Sequence, residues 1–275
     1  MSYKRVLTIQ DISCVGQCSL TVALPILSAC GHETVILPSA VLSTHTGGFK
    51  GFTFRDLTDD IPGIKNHWIS EGISFDAIYT GYLGSLKQID YVSDILDNSG
   101  KQSCLKVIDP AMADNGKLYS IFDMEYAHAM AELCKKADII LPNITEACLM
   151  TGLEYKECYD EDYITNIVDA LKALGMKTIV LTGVSYLADT TGILIADDNK
   201  MTHVKHEKLP HGSHGTGDIF ASTFVGALLS GKSYEDAALI AGEFVLSAMK
   251  NTLNDKEHWY GVKFEPMLKN LINSL

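Results

Sequence analysis

Six short apolar, β-rich runs recur along the chain, separated by segments of helical period: RVLTIQ (5–10), ETVILP (33–38), DAIYTG (76–81), LKVIDP (105–110), DIILPN (138–143) and TIVLTG (178–183). Strands buried on both faces of a sheet are apolar almost without interruption, and parallel neighbours need a crossover between them, usually a helix. The alternation therefore predicts an α/β fold with a central, mostly parallel sheet flanked by helices. Nearly every run ends in a polar residue, Gly or Pro: Gln10-Asp11, Pro38-Ser39, Thr80-Gly81, Asp109-Pro110, Pro142-Asn143 and Thr182-Gly183. Ligands of open α/β sheets bind beyond the carboxyl ends of the strands, so these termini are expected to converge on one crevice.

From 192 to 206 the rhythm changes to GILIA and THVKH around the turn Asp197-Asp198-Asn199-Lys200, which predicts a hairpin on the sheet edge. Two helices are expected to close the fold, 216–230 ended by Gly231 and 233–250 opened by Ser233 with Asp236 three residues on. Another helix is expected to start near Ser13. No repeat, low-complexity tract or linker interrupts the chain, and a single domain over 1–275 is expected. The glycine-rich segment 44–62 is a candidate flap over the crevice.

The chain carries 34 acids against 22 Lys and Arg, a net charge of -12, which excludes a broad phosphate-tracking surface for DNA or RNA. A small phosphate ligand is still compatible, because helix N-termini and a bound cation supply positive potential locally. The cysteines at 14, 18, 30, 104, 134, 148 and 158 form no CxxC pair, and are expected to be reduced core residues, Cys14 and Cys18 on one helix face. The start MSYKRVLTIQD has too short an apolar run for a signal peptide and no stretch is long enough to span a membrane, so a cytoplasmic protein without membrane partners is expected. The Asn143-Ile144-Thr145 sequon is accordingly accidental.

The chemistry concentrates in HGSHGTGDIFASTF, 211–224. Ile219, Phe220, Phe224, Ala227 and Leu228 repeat at helical spacing, so the helix is expected to be buried with its N-terminus pointing inward. Gly215 and Gly217 let the backbone approach a ligand, and the free N–H groups of the first turn form an anion hole with Thr216. Asp218 beside it is either a proton acceptor for a hydroxyl attacking a bound phosphate or simply a partner of the helix dipole. No Walker A run exists, and QDISCVGQCS after the first strand lacks GxGxxG, so the anion site lies late in the chain.

Gly215-Thr216-Gly217-Asp218 resembles the GTGD motif of the ribokinase-like superfamily letter for letter. STHTGGF at 43–49, GYLGS at 81–85, Asp109-Pro110 and LPNITEACLMTG at 141–152 narrow the resemblance to the pyridoxal/pyridoxamine kinase family, in the family's order over nearly the whole chain. The resemblance implies a three-layer ribokinase-like fold and ATP-dependent phosphorylation of the 5′-hydroxymethyl group of a vitamin B6 vitamer. It implies Asp218 as catalytic base, Asp11, Thr46 and Tyr82 on the substrate side, and Asp109, Asp114, Asn143, Glu146 and Thr182 around ATP and Mg²⁺. A carboxylate beside a triphosphate repels it unless a cation intervenes, so Mg²⁺ is a physical requirement of this reading, with Glu146 and Asp109 acting through water or phosphate. A monovalent cation such as K⁺ and a homodimer are further implications.

The chain departs from the family at Asp11, which stands where many pyridoxal kinases have Ser. A carboxylate would pair with a protonated pyridinium; the alternative is that Asp11 caps the following helix. The same residue type occurs in hydroxymethylpyrimidine kinases, the competing activity, and a non-catalytic B6-binding protein is a third reading. A TIM barrel is the rival fold, opposed by the edge hairpin. His45, His211 and His214 lack sensible metal spacing, and His214 is either a donor to phosphate or, the reading preferred, only a loop residue. Lys117 and Tyr119 belong to the flap, to the nucleotide side or, the reading preferred, to a solvated turn.

Overall fold

The computed structural model describes residues 3–210 and 212–275, so His211 lies outside the described residues. In chain order the elements are β1 (Arg5–Val15), α1 (Leu20–Ala29), β2 (Glu33–Thr44), β3 (Phe54–Asp56), α2 (Ile61–Ser70), β4 (Phe75–Thr80), α3 (Leu86–Asn98) and β5 (Gly100–Ile108). There follow β6 (Ala113–Asp114), β7 (Lys117–Leu118), α4 (Met124–Cys134), β8 (Ile139–Ile140), α5 (Ile144–Thr151), α6 (Glu161–Ala173) and β9 (Thr178–Thr182). The last are β10 (Thr190–Ala196), β11 (Met201–Glu207), α7 (Thr216–Leu229), α8 (Tyr234–Thr252) and α9 (Leu268–Ser274).

Nine strands make one sheet in the order β11-β10-β9-β8-β5-β4-β1-β2-β3, while β6 and β7 form a separate hairpin. Every pairing from β2 through β1, β4, β5 and β8 to β9 is parallel. The antiparallel members lie at the edges, β3 on one side and the β10/β11 hairpin on the other. All six apolar runs are strands, and the predicted hairpin closes on an Asp197 Oδ1 that accepts from the N–H groups of Asn199 and Lys200 at 2.8 and 2.9 Å. Strand order reverses at β1, which puts β2 on one flank and β4 on the other and opens the crevice of an α/β sheet there.

Alternate residues of the central strands feed two apolar layers. Leu7, Ile9, Ile78, Ile108, Ile140, Ile179 and Leu181 pack beneath α2–α6. Val6, Ala77, Tyr79, Val107, Ile139 and Val180 face α7 and α8, where Phe220 and Phe224 fill the layer. Every residue of α7 from Ile219 to Ala227 is buried, as its helical period predicts. Ser233 caps α8 by accepting from the Asp236 N–H at 3.1 Å. Among the described residues no helix is long and apolar enough to cross a membrane.

Three expectations are corrected. β1 and β2 do not stop at Gln10 and Pro38: a register shift between Gln10 and Ile12 lets pairing continue to Val15↔Thr44. Asp11 therefore lies inside a strand, no helix begins near Ser13, and Asp11 caps nothing; α1 starts at Leu20. Cys14 is consequently exposed on β1 and Cys18 half-buried after it, so they share no helix face. Cys158 is exposed too, whereas Cys30, Cys134 and Cys148 are buried and all seven are free thiols. Within 44–62, residues 54–56 add an edge strand paired to Ala40–Leu42 of β2.

Candidate active site

A cavity of about 450 Å³ is lined by Asp109 after β5, Asn143 and Glu146 at the start of α5, Thr182 at the end of β9, Asp114 on the β6/β7 hairpin, and Gly215, Thr216, Gly217 and Asp218 at the start of α7. The structure thus brings the predicted anion hole, base and nucleotide-side residues to one place. Gly192, Ile193, Phe220, Gly242, Val245 and Met249 give the same cavity an apolar wall, which no local signal in the sequence identifies.

Gly215 takes φ 77°, in the left-handed region, and a Cβ there would come within 1.7 Å of the Gln17 carbonyl oxygen. Only glycine fits both constraints, so the turn that aims the α7 amides is fixed by the sequence. Asp218 is half-buried on the cavity wall, and burial pushes its carboxyl up to about 7, with Asp11 adding to the rise and the Ser19 N–H opposing it. Ser19 holds φ 52° and ψ -133°, a conformation disfavoured for an L-residue. Sequence reading misses Ser19 because its role depends on this backbone geometry.

Asp109 is pushed well above the usual carboxylate range, first by burial and then by Glu146 and Asp218. Glu146, 3% exposed, is also raised by burial, although backbone N–H groups hold it down. It forms a reciprocal capping box: Asn143 Oδ1 accepts from the Glu146 N–H and Glu146 Oε2 from the Asn143 N–H, each at 2.9 Å. Its Oε1 accepts from the Met112 N–H at 3.0 Å, while Asn143 Nδ2 donates to the Ala113 carbonyl at 2.8 Å. The PNxxE block is thus a rigid fixture at the start of α5.

Among the described residues no Lys or Arg lines this cavity, so a polyphosphate entering it would meet the four carboxyl groups of Asp109, Asp114, Glu146 and Asp218. That donor set fits a divalent cation between acid and phosphate. Among the described residues no three His, Cys, Asp or Glu gather into a protein-only cage, and Glu146 is already occupied by backbone donors.

Asp11, Thr46 and Tyr82 do not line the cavity. Asp11 is 5% exposed, accepts from Ser13 Oγ at 2.8 Å and is raised by burial against hydrogen bonds from Ser19 and Ser13. Tyr82 is half-buried beyond β4, its phenol pushed up to about 12 by burial, Asp11 and Asp56. Asp11 thereby acts electrostatically on both Tyr82 and Asp218. Thr46 is exposed in the loop after β2. Of the residues left open by the sequence, Tyr119 and His214 line the cavity and Lys117 does not.

A family model described as phosphomethylpyrimidine kinase matches residues 29–263. A Bacteroides thetaiotaomicron chain assigned as a phosphomethylpyrimidine kinase and crystallised with pyridoxal superposes with a TM-score of 0.93 at 36% identity, covering 98% of this chain and 96% of its own. Pyridoxal kinase from Lactobacillus plantarum superposes with a TM-score of 0.91 at 32% identity over 99% of this chain and 98% of its own. A Dictyostelium discoideum pyridoxal kinase is 26% identical over 268 residues, 91% of this chain and 86% of that protein. Matched in fold and over nearly its whole length, the chain belongs to the phosphomethylpyrimidine kinase family, in the pyridoxal kinase group of the ribokinase-like superfamily.

Proposed function

We propose that this chain is an ATP-dependent kinase of vitamin B6 vitamers, transferring the γ-phosphoryl group to the 5′-hydroxymethyl oxygen of pyridoxal, pyridoxamine or pyridoxine. The observation that carries the reading is the pairing of a half-buried carboxyl, Asp218, with the free amides of the same helix N-terminus on one cavity wall. The relative crystallised with pyridoxal supports the substrate class.

In this reading Asp218 accepts the hydroxyl proton as the oxygen attacks, and the Gly215, Thr216 and Gly217 amides receive the phosphoryl oxygens. A carboxyl held near 7 is a better base for an alcohol than an ordinary Asp, yet is still substantially ionised at neutral pH. Asp109 and Glu146, with Asp114, Asn143 and Thr182, would hold Mg²⁺ and the triphosphate, the acids acting through water or phosphate oxygens. Mg²⁺, when bound, supplies neutralisation of the charge between phosphate and acid. The apolar wall from Gly192 to Met249 suits an adenine ring. Asp11, Thr46 and Tyr82 take the vitamer, Asp11 facing the pyridine nitrogen and Tyr82 offering a ring face. K⁺ is a further candidate cofactor. The proposal extends to a single domain acting as a cytoplasmic homodimer, with 44–62 as a flap.

The second reading, hydroxymethylpyrimidine phosphorylation, is favoured by the family model's description and by Asp11. A purified-protein panel of pyridoxal, pyridoxamine, pyridoxine and hydroxymethylpyrimidine, with ATP and Mg²⁺ and ADP release as readout, decides. B6 vitamers are expected to drive ADP release at least about tenfold better in kcat/KM than hydroxymethylpyrimidine. The reverse order would replace the proposal by the second reading, and no ADP release with any of them would leave a binding protein.

A further inference from the structure

The segment following α8 is tied to both glycine-rich loops of the site, and the mechanism above gives it no part. His45, 7% exposed, has both ring nitrogens engaged: Nδ1 accepts from the Gly47 N–H at 3.0 Å, and Nε2 lies 2.6 Å from the Tyr260 carbonyl oxygen. A carbonyl only accepts, so these partners fix the tautomer with its proton on Nε2. Phe49 packs between the rings of Trp259 and His45, with centroids at 4.6 and 5.1 Å. A Cβ on Gly48 would come within 2.8 Å of the Trp259 ring, so the indole lies directly on the loop backbone.

The same segment reaches the other side of the site. His258 Nε2 pairs with Gln17 Oε1 at 2.8 Å, and Gln17 Nε2 donates to Glu265 Oε1 at 2.6 Å. It is the Gln17 carbonyl that closes on Gly215 at the start of α7. His214 completes the assembly, its ring 5.0 Å from that of His45 and filling the space where a Gly47 side chain would stand. Trp259, 51% exposed, and Phe49 belong to none of the buried core clusters among the described residues. Their packing on each other therefore serves the loop rather than the core.

We infer that residues 258–265 form a clasp that positions the 45–49 loop, and with it Thr46, against the Gly215 end of α7. Trp259 is a positioning residue for the acceptor side of the site and not for the nucleotide side. The kinetic consequence rests on the kinase proposal; the structural consequence does not.

Trp259→Ala tests both. In the ligand-free protein, amide hydrogen exchange across 45–51 is expected to speed up by about tenfold or more while the helices keep their protection. With substrates, KM for the B6 vitamer is expected to rise about tenfold, with KM for ATP and the melting temperature near those of the parent, and Trp259→Phe to restore both readouts. Phe49→Leu, which thins the same stack from the other side, is expected to give the same split. Unchanged exchange in both variants overturns the clasp whatever the substrate is, and equal rises in the two KM values overturn the acceptor-side assignment. A parent protein that phosphorylates no vitamer refutes the kinase proposal alone, because the exchange measurement still decides the clasp.

Discussion

At the scale of single residues, Asp218 carries opposing demands. Its carboxyl is raised from 3.8 to about 7 by burial, so below that pH it holds a proton and cannot accept one. The expected kcat/KM profile climbs about tenfold per pH unit on the acid side and levels off above about 7. Asp218→Asn is expected to retain the fold and nucleotide binding while losing roughly 10² to 10⁴ in turnover. The same shift has a stability sign. A carboxyl raised in the folded state favours folding below its unfolded value, and that contribution is lost as pH rises through the folded one. Asp218→Asn is therefore expected to melt a few degrees higher than the parent at pH 8, with the gap narrowing toward pH 4. Calorimetry at the two pH values checks this; a variant less stable at pH 8 would contradict it.

At the scale of elements, α5 is set by its first turn. Asn143→Ala removes both the cap on Glu146 N–H and the tie to the Ala113 carbonyl, and is expected to cost about 1 to 2 kcal/mol in urea unfolding. The backbone N–H groups of position 143 and Met112 that hold the Glu146 carboxylate remain in that variant, so Glu146 is expected to keep its place. The six parallel strands were legible in their apolar runs and the edge hairpin in its Asp-Asp-Asn-Lys turn, because each signal is local, whereas Asn143 and Glu146 were read in the sequence only as ATP and Mg²⁺ positions and their cap was not. The extension of β1 past Asp11 was not legible: its polar residues looked like a strand end, and only pairing with β2 across a bulge reveals the strand. For the same reason the strand at 54–56 and the Ser19 turn escaped the sequence, since a partner strand or an imposed backbone angle defines them. The site was legible in residue identity and partly in grouping. Its apolar wall comes from β10, α7 and α8, whose residues look like ordinary core in sequence.

At the scale of the whole molecule, the charge of -12 and a cavity wall without Lys or Arg among the described residues predict that nucleotide binding depends on cations. ATP with Mg²⁺ is expected to raise the melting temperature by several degrees, as a ligand near 100 times its Kd contributes about 2.7 kcal/mol, whereas ATP with EDTA should leave it near the ligand-free value. Scanning fluorimetry with both mixtures checks this.

The sheet also divides the interior into compartments that do not touch. Val92 lies in the layer beneath α2–α6, and Phe224 in the layer facing α7 and α8. Truncating both is expected to cost the sum of the single losses within about 0.5 kcal/mol, whereas Phe220 and Phe224, stacked at 5.9 Å, should deviate from additivity. The barrier between the layers makes one side available for stabilising redesign without disturbing the packing behind Asp218.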